Sequence, residues 1–298
     1  MKNNKIFVPG IILLLTFALG FGAINPDEEI YLIVRGDDIG SSHAANVGCI
    51  EAYKNGIART VEVMVPCPWF PEAVEMLKQH PGLDVGVHLT LTSEWEGYKW
   101  GPLTCAPSLV DSNGYFYPRQ KDWVNEKAQA FWNAEPNMQE VEQELRAQIE
   151  MALKHIPRIS HLTGHMGIAS PSVSPKMTKL VDTLAKEYEL NIDPEDYEVK
   201  RANDYYPGES DKKESEEDRQ TKFIEMLKNL KPGIYLYVEH PGTNTPELQA
   251  LGHEGNNDVA EKRAEVTEIF TSEKVREIIE KRNINLISYK DLKKLNRE

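Results

Sequence analysis

The chain has 298 residues, 40% of them hydrophobic, enough to bury one sizeable α/β core or two smaller ones. Its formal net charge of −13 argues against nucleic acid as a partner. It suits a neutral or cationic partner such as a sugar or an amine, or a solvated acidic face kept for solubility. Cys49, Cys67 and Cys105 are odd in number and far apart, which argues against a disulfide framework or a thiolate zinc site and leaves room for one disulfide.

Lys2 and Lys5 precede an apolar run from Ile6 to about Ala23 that ends in small residues, so residues 1–23 read as a secretory signal peptide. The alternative is an uncleaved anchor, because the run is nearly long enough to span a bilayer. Cleavage removes two lysines and no acid, taking the net charge from −13 to −15. The expected location is outside the cytoplasm, periplasmic or extracellular. No stable membrane insertion is expected after cleavage, since no later stretch is comparably apolar.

Residues 24–298 read as a single domain in which strand-length apolar runs alternate with helical patterns. Strands are predicted over Tyr31–Arg35, Thr60–Val65, Leu83–Leu89, Arg158–Leu162, Gly233–Val238 and Asn285–Ile287. Helices are predicted at about 42–55, 70–79, 137–154, 174–188, 219–230, 259–270 and 273–282. The alternation predicts an α/β fold with a mainly parallel sheet, and a β/α barrel, distorted or incomplete, accounts for it best. An open doubly wound sheet is the alternative, although no Gly-x-Gly-x-x-Gly turn follows any strand. Residues 93–136 hold nine aromatic residues, Trp123 among them, and read as an insertion with its own packing, either a sugar-stacking lid or a small satellite core. Residues 208–220 read as a solvated charged loop. How chains associate stays open, with a homodimer as one arrangement.

Polar motifs follow the strands: Gly36-Asp37-Asp38, His88, Thr163-Gly164-His165 and Glu239-His240-Pro241-Gly242. In β/α folds such strand ends meet at one face, where active sites are built. One carboxylate and two imidazoles from separate strands suit a divalent ion, and a neighbouring second carboxylate suits a base. Asp37 and Asp38 can divide those roles. Each residue also has a plainer reading, the aspartates as helix N-caps and His88 as a core histidine, though Ser41 and Ser42 are equally able to cap. His161 reads as a supporting residue within its strand, and His240 as a general acid or a turn residue. Glu239 and Arg263 are weaker candidates for orienting the site. His43, His80, His155 and His253 read as surface residues.

These stretches resemble the YdjC-like carbohydrate deacetylase family: Val34-Arg-Gly-Asp-Asp-Ile-Gly40 with Asn46, Asp84-Val-Gly-Val-His-Leu-Thr-Leu91, His161-Leu-Thr-Gly-His165, Val238-Glu-His-Pro-Gly242, and Phe270-Thr-Ser272 followed by 284–289. The resemblance implies a barrel-like fold and Asp38, His88 and His165 as ligands of a divalent metal, zinc or alternatively magnesium. It also implies Asp37 as base, His240 as acid and an N-acetylated saccharide as substrate. The family commonly carries His-x-Asp-x-His-x-His, whereas Thr163 and Gly167 stand here for the Asp and the last His. The rival readings are a glycoside hydrolase with paired carboxylates and a non-catalytic carbohydrate-binding protein.

Overall fold

The computed structural model describes residues 25–119, 130–172, 174–202, 216–252 and 256–294. β1 (Ile30–Ile39) leads into α1 (His43–Lys54), β2 (Thr60–Val63), α2 (Phe70–Lys78) and β3 (Asp84–Leu89). Next come α3 (Met138–His155), β4 (Ile159–Gly164), α4 (Pro175–Glu187) and β5 (Lys200–Arg201). α5 (Glu216–Asn229), β6 (Gly233–Glu239), α6 (Pro246–Gln249), α7 (Val259–Thr271), α8 (Glu273–Lys281), β7 (Ile284–Ile287) and α9 (Tyr289–Leu292) follow.

Among the described residues the seven strands pair in parallel, in the order β4-β3-β2-β1-β6-β5, with β7 joined to β1 off that path. Parallel neighbours need long crossovers, and helices form most of them here. The sheet curls into a half-barrel, the incomplete form of the β/α barrel that the alternation predicts. β1 is its hub, with all ten residues buried. Leu32 and Val34 pack with Phe223, Val266 and Val275 on α5, α7 and α8, while Tyr31 and Ile33 pack with Leu236, Ile287 and Tyr289. A strand covered on both faces must be apolar at successive positions, which explains its unbroken hydrophobic run.

β6 pairs with Ile30–Gly36 along one edge of β1. The other edge is divided, with β7 on Ile30–Ile33 and β2 taking over from Arg35. β2 and β7 therefore diverge from a common strand. Just beyond β7, Tyr289 stacks on His161 at 3.7 Å between ring centres and accepts a hydrogen bond from Arg35 Nη1 at 2.8 Å.

Several expectations change. β1 runs on to Ile39 rather than ending at Arg35, so Asp37 and Asp38 lie inside a strand. Among the described residues of the aromatic segment, Trp100, Phe116 and Phe131 join the main cluster with Val61, Val87 and Leu145 rather than packing apart from it. Trp123 lies outside the described residues, as do residues 1–23, His253 and most of the charged stretch at 208–220, whose last residues open α5. The strand β5 and the helices α6 and α9, two to four residues each, are too short to carry a readable period. All three cysteines are free thiols, Cys49 and Cys67 buried and Cys105 exposed. Among the described residues no helix is long and apolar enough to cross a membrane.

Candidate metal centre

The site begins with an irregularity in β1. Pairing with β2 slips between Gly36 and Ile39, and Asp38 sits at φ 71°, in the left-handed region that costs an ordinary side chain energy. In a regular strand, neighbouring side chains point to opposite faces. The bulge removes that alternation and turns both carboxylates toward His88, whose Nε2 lies 3.5 Å from Asp38 Oδ1 and 3.8 Å from Asp37 Oδ2. The chain then turns at Gly40 (φ 98°), whose N–H donates to Asn46 Oδ1 at 2.6 Å, and Ser42 caps α1 through Ala45 N–H. Capping thus falls to Ser42, which leaves the two aspartates for the site.

His88 comes from β3 and His165 from the turn after β4, where Met166 and Gly167 both adopt positive φ. His165 Nδ1 is 3.4 Å from Asp38 Oδ1. The far nitrogen of each ring is held from behind. His88 Nδ1 meets the Thr163 hydroxyl at 2.9 Å, and His165 Nε2 meets Glu94 at 2.9 Å. Such outer contacts fix ring orientation and leave the inner nitrogen facing the centre. Trp100 lies edge-on to His165, its ring centre 6.3 Å away.

Burial disfavours charge on both histidines, with opposite outcomes. Desolvation brings His88 down to about 4, with the nearby His165 pushing the same way against the aspartates. At His165 the carboxylates of Glu94 and Asp38 more than offset burial and raise it to about 10. Burial would also raise the two aspartates, but Arg263 holds Asp38 well below the usual carboxylate range and Arg35 lowers Asp37. Arg263 Nη2 donates to Asp38 Oδ2 at 2.6 Å, while Arg35 grips Asp37 with two hydrogen bonds of 2.7 and 2.9 Å.

His240, half-buried after β6, is an electrostatic neighbour of both aspartates. The loop behind it is clamped. Gly242 N–H donates to Thr267 Oγ1 and to Arg263 O, both at 3.0 Å, and a Cβ on Gly242 would come 2.8 Å from Arg263 Cβ. That close approach sets both the turn after His240 and the α7 residue that reaches Asp38. Glu239 pairs instead with Arg219 at 3.5 Å. Of the four histidines read as surface residues, His155 is exposed, while His43 and His80 are half-buried.

The structure therefore brings together the predicted Asp37, Asp38, His88, His165 and His240, with His161 in support. It adds Arg35, Glu62, Glu94 and Tyr289. Two of these carried a signal: Arg35 shares a strand face with Asp37, and Glu62 is a charge inside the apolar strand Thr60–Val63. Tyr289 lies in the family-like stretch 284–289, but nothing there assigns it a partner, and Glu94 carried no signal, because their partners His161 and His165 are 128 and 71 residues away.

The residues fit a divalent ion. Asp38 Oδ1 is a buried carboxylate oxygen without a hydrogen bond, and the donor atoms of Asp38, His88 and His165 all lie within 4.8 Å of one another. A tetrahedral ion at about 2.0–2.2 Å from its ligands spaces them roughly 3.4 Å apart, close to the 3.4 and 3.5 Å found here.

A parallel β/α half-barrel presenting one carboxylate and two imidazoles at its strand ends has the build of a metal-dependent hydrolase. The chain belongs to the YdjC-like protein family, whose model matches residues 31–281. It is 28% identical over 269 residues to Carbohydrate deacetylase 1 of Listeria innocua serovar 6a, covering 88% of this chain and 99% of that one. A carbohydrate deacetylase of Thermus thermophilus is 33% identical over 236 residues, 74% of this chain and 80% of its own. The crystal structure of an Enterococcus faecalis V583 protein named for cellobiose-phosphate cleavage matches with a TM-score of 0.68 at 27% identity, covering 89% of this chain and 99% of that one.

Proposed function

We propose that this chain is a metal-dependent carbohydrate deacetylase that hydrolyses the acetamide of an N-acetylated sugar. The observation that carries the reading is the buried Asp38, His88 and His165 cluster with an ionised, Arg35-anchored Asp37 beside it. The names of the relatives support carbohydrate deacetylation. Two imidazoles and one carboxylate favour zinc over magnesium, which prefers oxygen ligands. An ion held by these three residues supplies Lewis-acid polarisation of an acyl oxygen.

The remaining steps fall to the chain itself. Asp37, kept ionised by Arg35, takes a proton from water as the water oxygen bonds to the acyl carbon. Bidentate pairing fixes the plane of its carboxylate and still leaves lone pairs to accept that proton. His240 gives a proton to the departing nitrogen as the C–N bond breaks, so the products are acetate and a free amine. A glycoside hydrolase would need its two carboxyl groups on opposite sides of the scissile bond. Asp37 and Asp38 both approach the same nitrogen of His88 within 4 Å, which favours the metal reading.

Acetate release from a panel of N-acetylated saccharides, with and without chelator, tests the proposal. Release that chelator stops and zinc restores is expected; chelator-insensitive release, or none from any saccharide, would count against it. Residues 1–23 are further proposed to direct export, which the lysines before the apolar run support. N-terminal sequencing of the mature protein should then begin near residue 24.

A further inference from the structure

A fully buried carboxylate that the proposed reaction does not touch lies beneath the metal centre. Glu62, on β2 with no exposed surface, accepts the Thr163 hydroxyl of β4 on Oε2 at 2.8 Å. Its Oε1 faces His161 Nε2 at 2.7 Å and Arg35 Nε at 3.9 Å. A carboxylate is tolerated at such a depth only when donors surround it. Space for it is reserved by Gly86 on β3, where a Cβ would lie 2.6 Å from His161 Nε2 and collide with Glu62 Oε2. Three adjacent strands therefore cooperate to bury one carboxyl group.

The consequence runs through proton positions. Thr163 has one hydroxyl proton, and it goes to Glu62. The same oxygen lies 2.9 Å from His88 Nδ1 and can there only accept, so Nδ1 carries the ring proton. His88 Nε2 then turns a lone pair toward Asp38 Oδ1, 3.5 Å away. Were the hydroxyl reversed, it would donate to Nδ1 and move the ring proton to Nε2, where it would block a metal.

We propose that Glu62 is a positioning residue for His88, fixing its metal-binding tautomer through the Thr163 hydroxyl. The inference rests on the reading of Asp38, His88 and His165 as metal ligands. Glu62 touches neither metal nor substrate; it dictates which way one hydroxyl points.

Zinc affinity, measured on the metal-free full chain by competition with a chromogenic chelator, tests the relay independently of turnover. Thr163→Ser keeps the hydroxyl and should match the wild type. Thr163→Val has nearly the same volume without the hydroxyl and should bind about 10- to 100-fold more weakly. Glu62→Gln should do the same, because its amide would donate to Thr163 and reverse the hydroxyl. Thr163→Asp sets a second carboxylate against Glu62 and should also bind poorly, and adding Glu62→Gln should recover affinity because the new carboxylate then accepts from His88 directly. Wild-type affinity in folded Thr163→Val, or no recovery in the Glu62→Gln, Thr163→Asp pair, would overturn the relay. A wild type that binds no zinc would overturn the metal centre and the relay together, whereas affinity lost in Asp38→Asn but kept in Thr163→Val would overturn the relay alone.

Discussion

Asp37 and Asp38 are chemically identical neighbours given different work by their surroundings. Asp37 is spanned by Arg35, and Asp38 is held through one oxygen by Arg263 while its other oxygen faces two imidazoles without a hydrogen bond. Asp37→Asn should cut acetate release by about 10²- to 10⁴-fold while zinc, measured by metal analysis, stays bound. Full activity in that variant would remove Asp37 from the role of base. Glu94→Gln should weaken zinc binding about 10- to 100-fold, since a carboxylate behind a liganding histidine strengthens it as a donor, and chelator competition reads that directly. At this scale the sequence was informative wherever a polar residue ended an apolar strand. The roles of Glu94 and of Tyr289, although the latter ends a family-like stretch, were out of reach, because what makes them matter is a contact made only after folding.

Strands and helices explain how those side chains arrive together. Strand positions were readable because apolar runs between helical patterns leave few other options, and the half-barrel follows from their parallel order. The bulge in β1 was not readable: Asp-Asp-Ile-Gly reads as the end of a strand, and pairing to β6 does end at Gly36, while renewed pairing of Ile39 with Val63 of β2 carries β1 through it. The packing of the aromatic segment was not readable, because a cluster of rings suggests a separate unit, whereas its described inner rings Trp100, Phe116 and Phe131 join the main core. Close backbone approaches give a test at this scale. A Cβ on Gly48 of α1 would collide with the backbone of Gly242, in the loop behind His240. Gly48→Ala should therefore cost about 1–3 kcal/mol of stability through overpacking, read by denaturant unfolding, and should lower turnover by displacing His240. Unchanged stability would mean that α1 and this loop are less tightly joined.

For the whole molecule, the two buried histidines make stability depend on pH in opposite directions. In the metal-free protein His165 is raised to about 10 from 6.5, so its contribution is complete below 6.5 and is lost as pH rises toward 10. His88 is lowered to about 4, so the unfolded chain binds the extra proton between 4 and 6.5, and the fold weakens as pH falls through that window. These two groups place the stability optimum of the metal-free protein near pH 6.5. A metal must displace the His165 proton, so the rise in melting temperature on adding zinc should be larger at about pH 8.5 than at about pH 6.5. A shift independent of pH would mean that His165 is not a ligand. The most direct test of the central claim is acetate release from an N-acetylated saccharide as zinc is titrated into metal-free enzyme. Asp38, His88 and His165 as a single required site predict activity rising linearly to a plateau at one equivalent, and none in Asp38→Asn over the same range. Full release before any zinc is added, or wild-type release by Asp38→Asn, would contradict it.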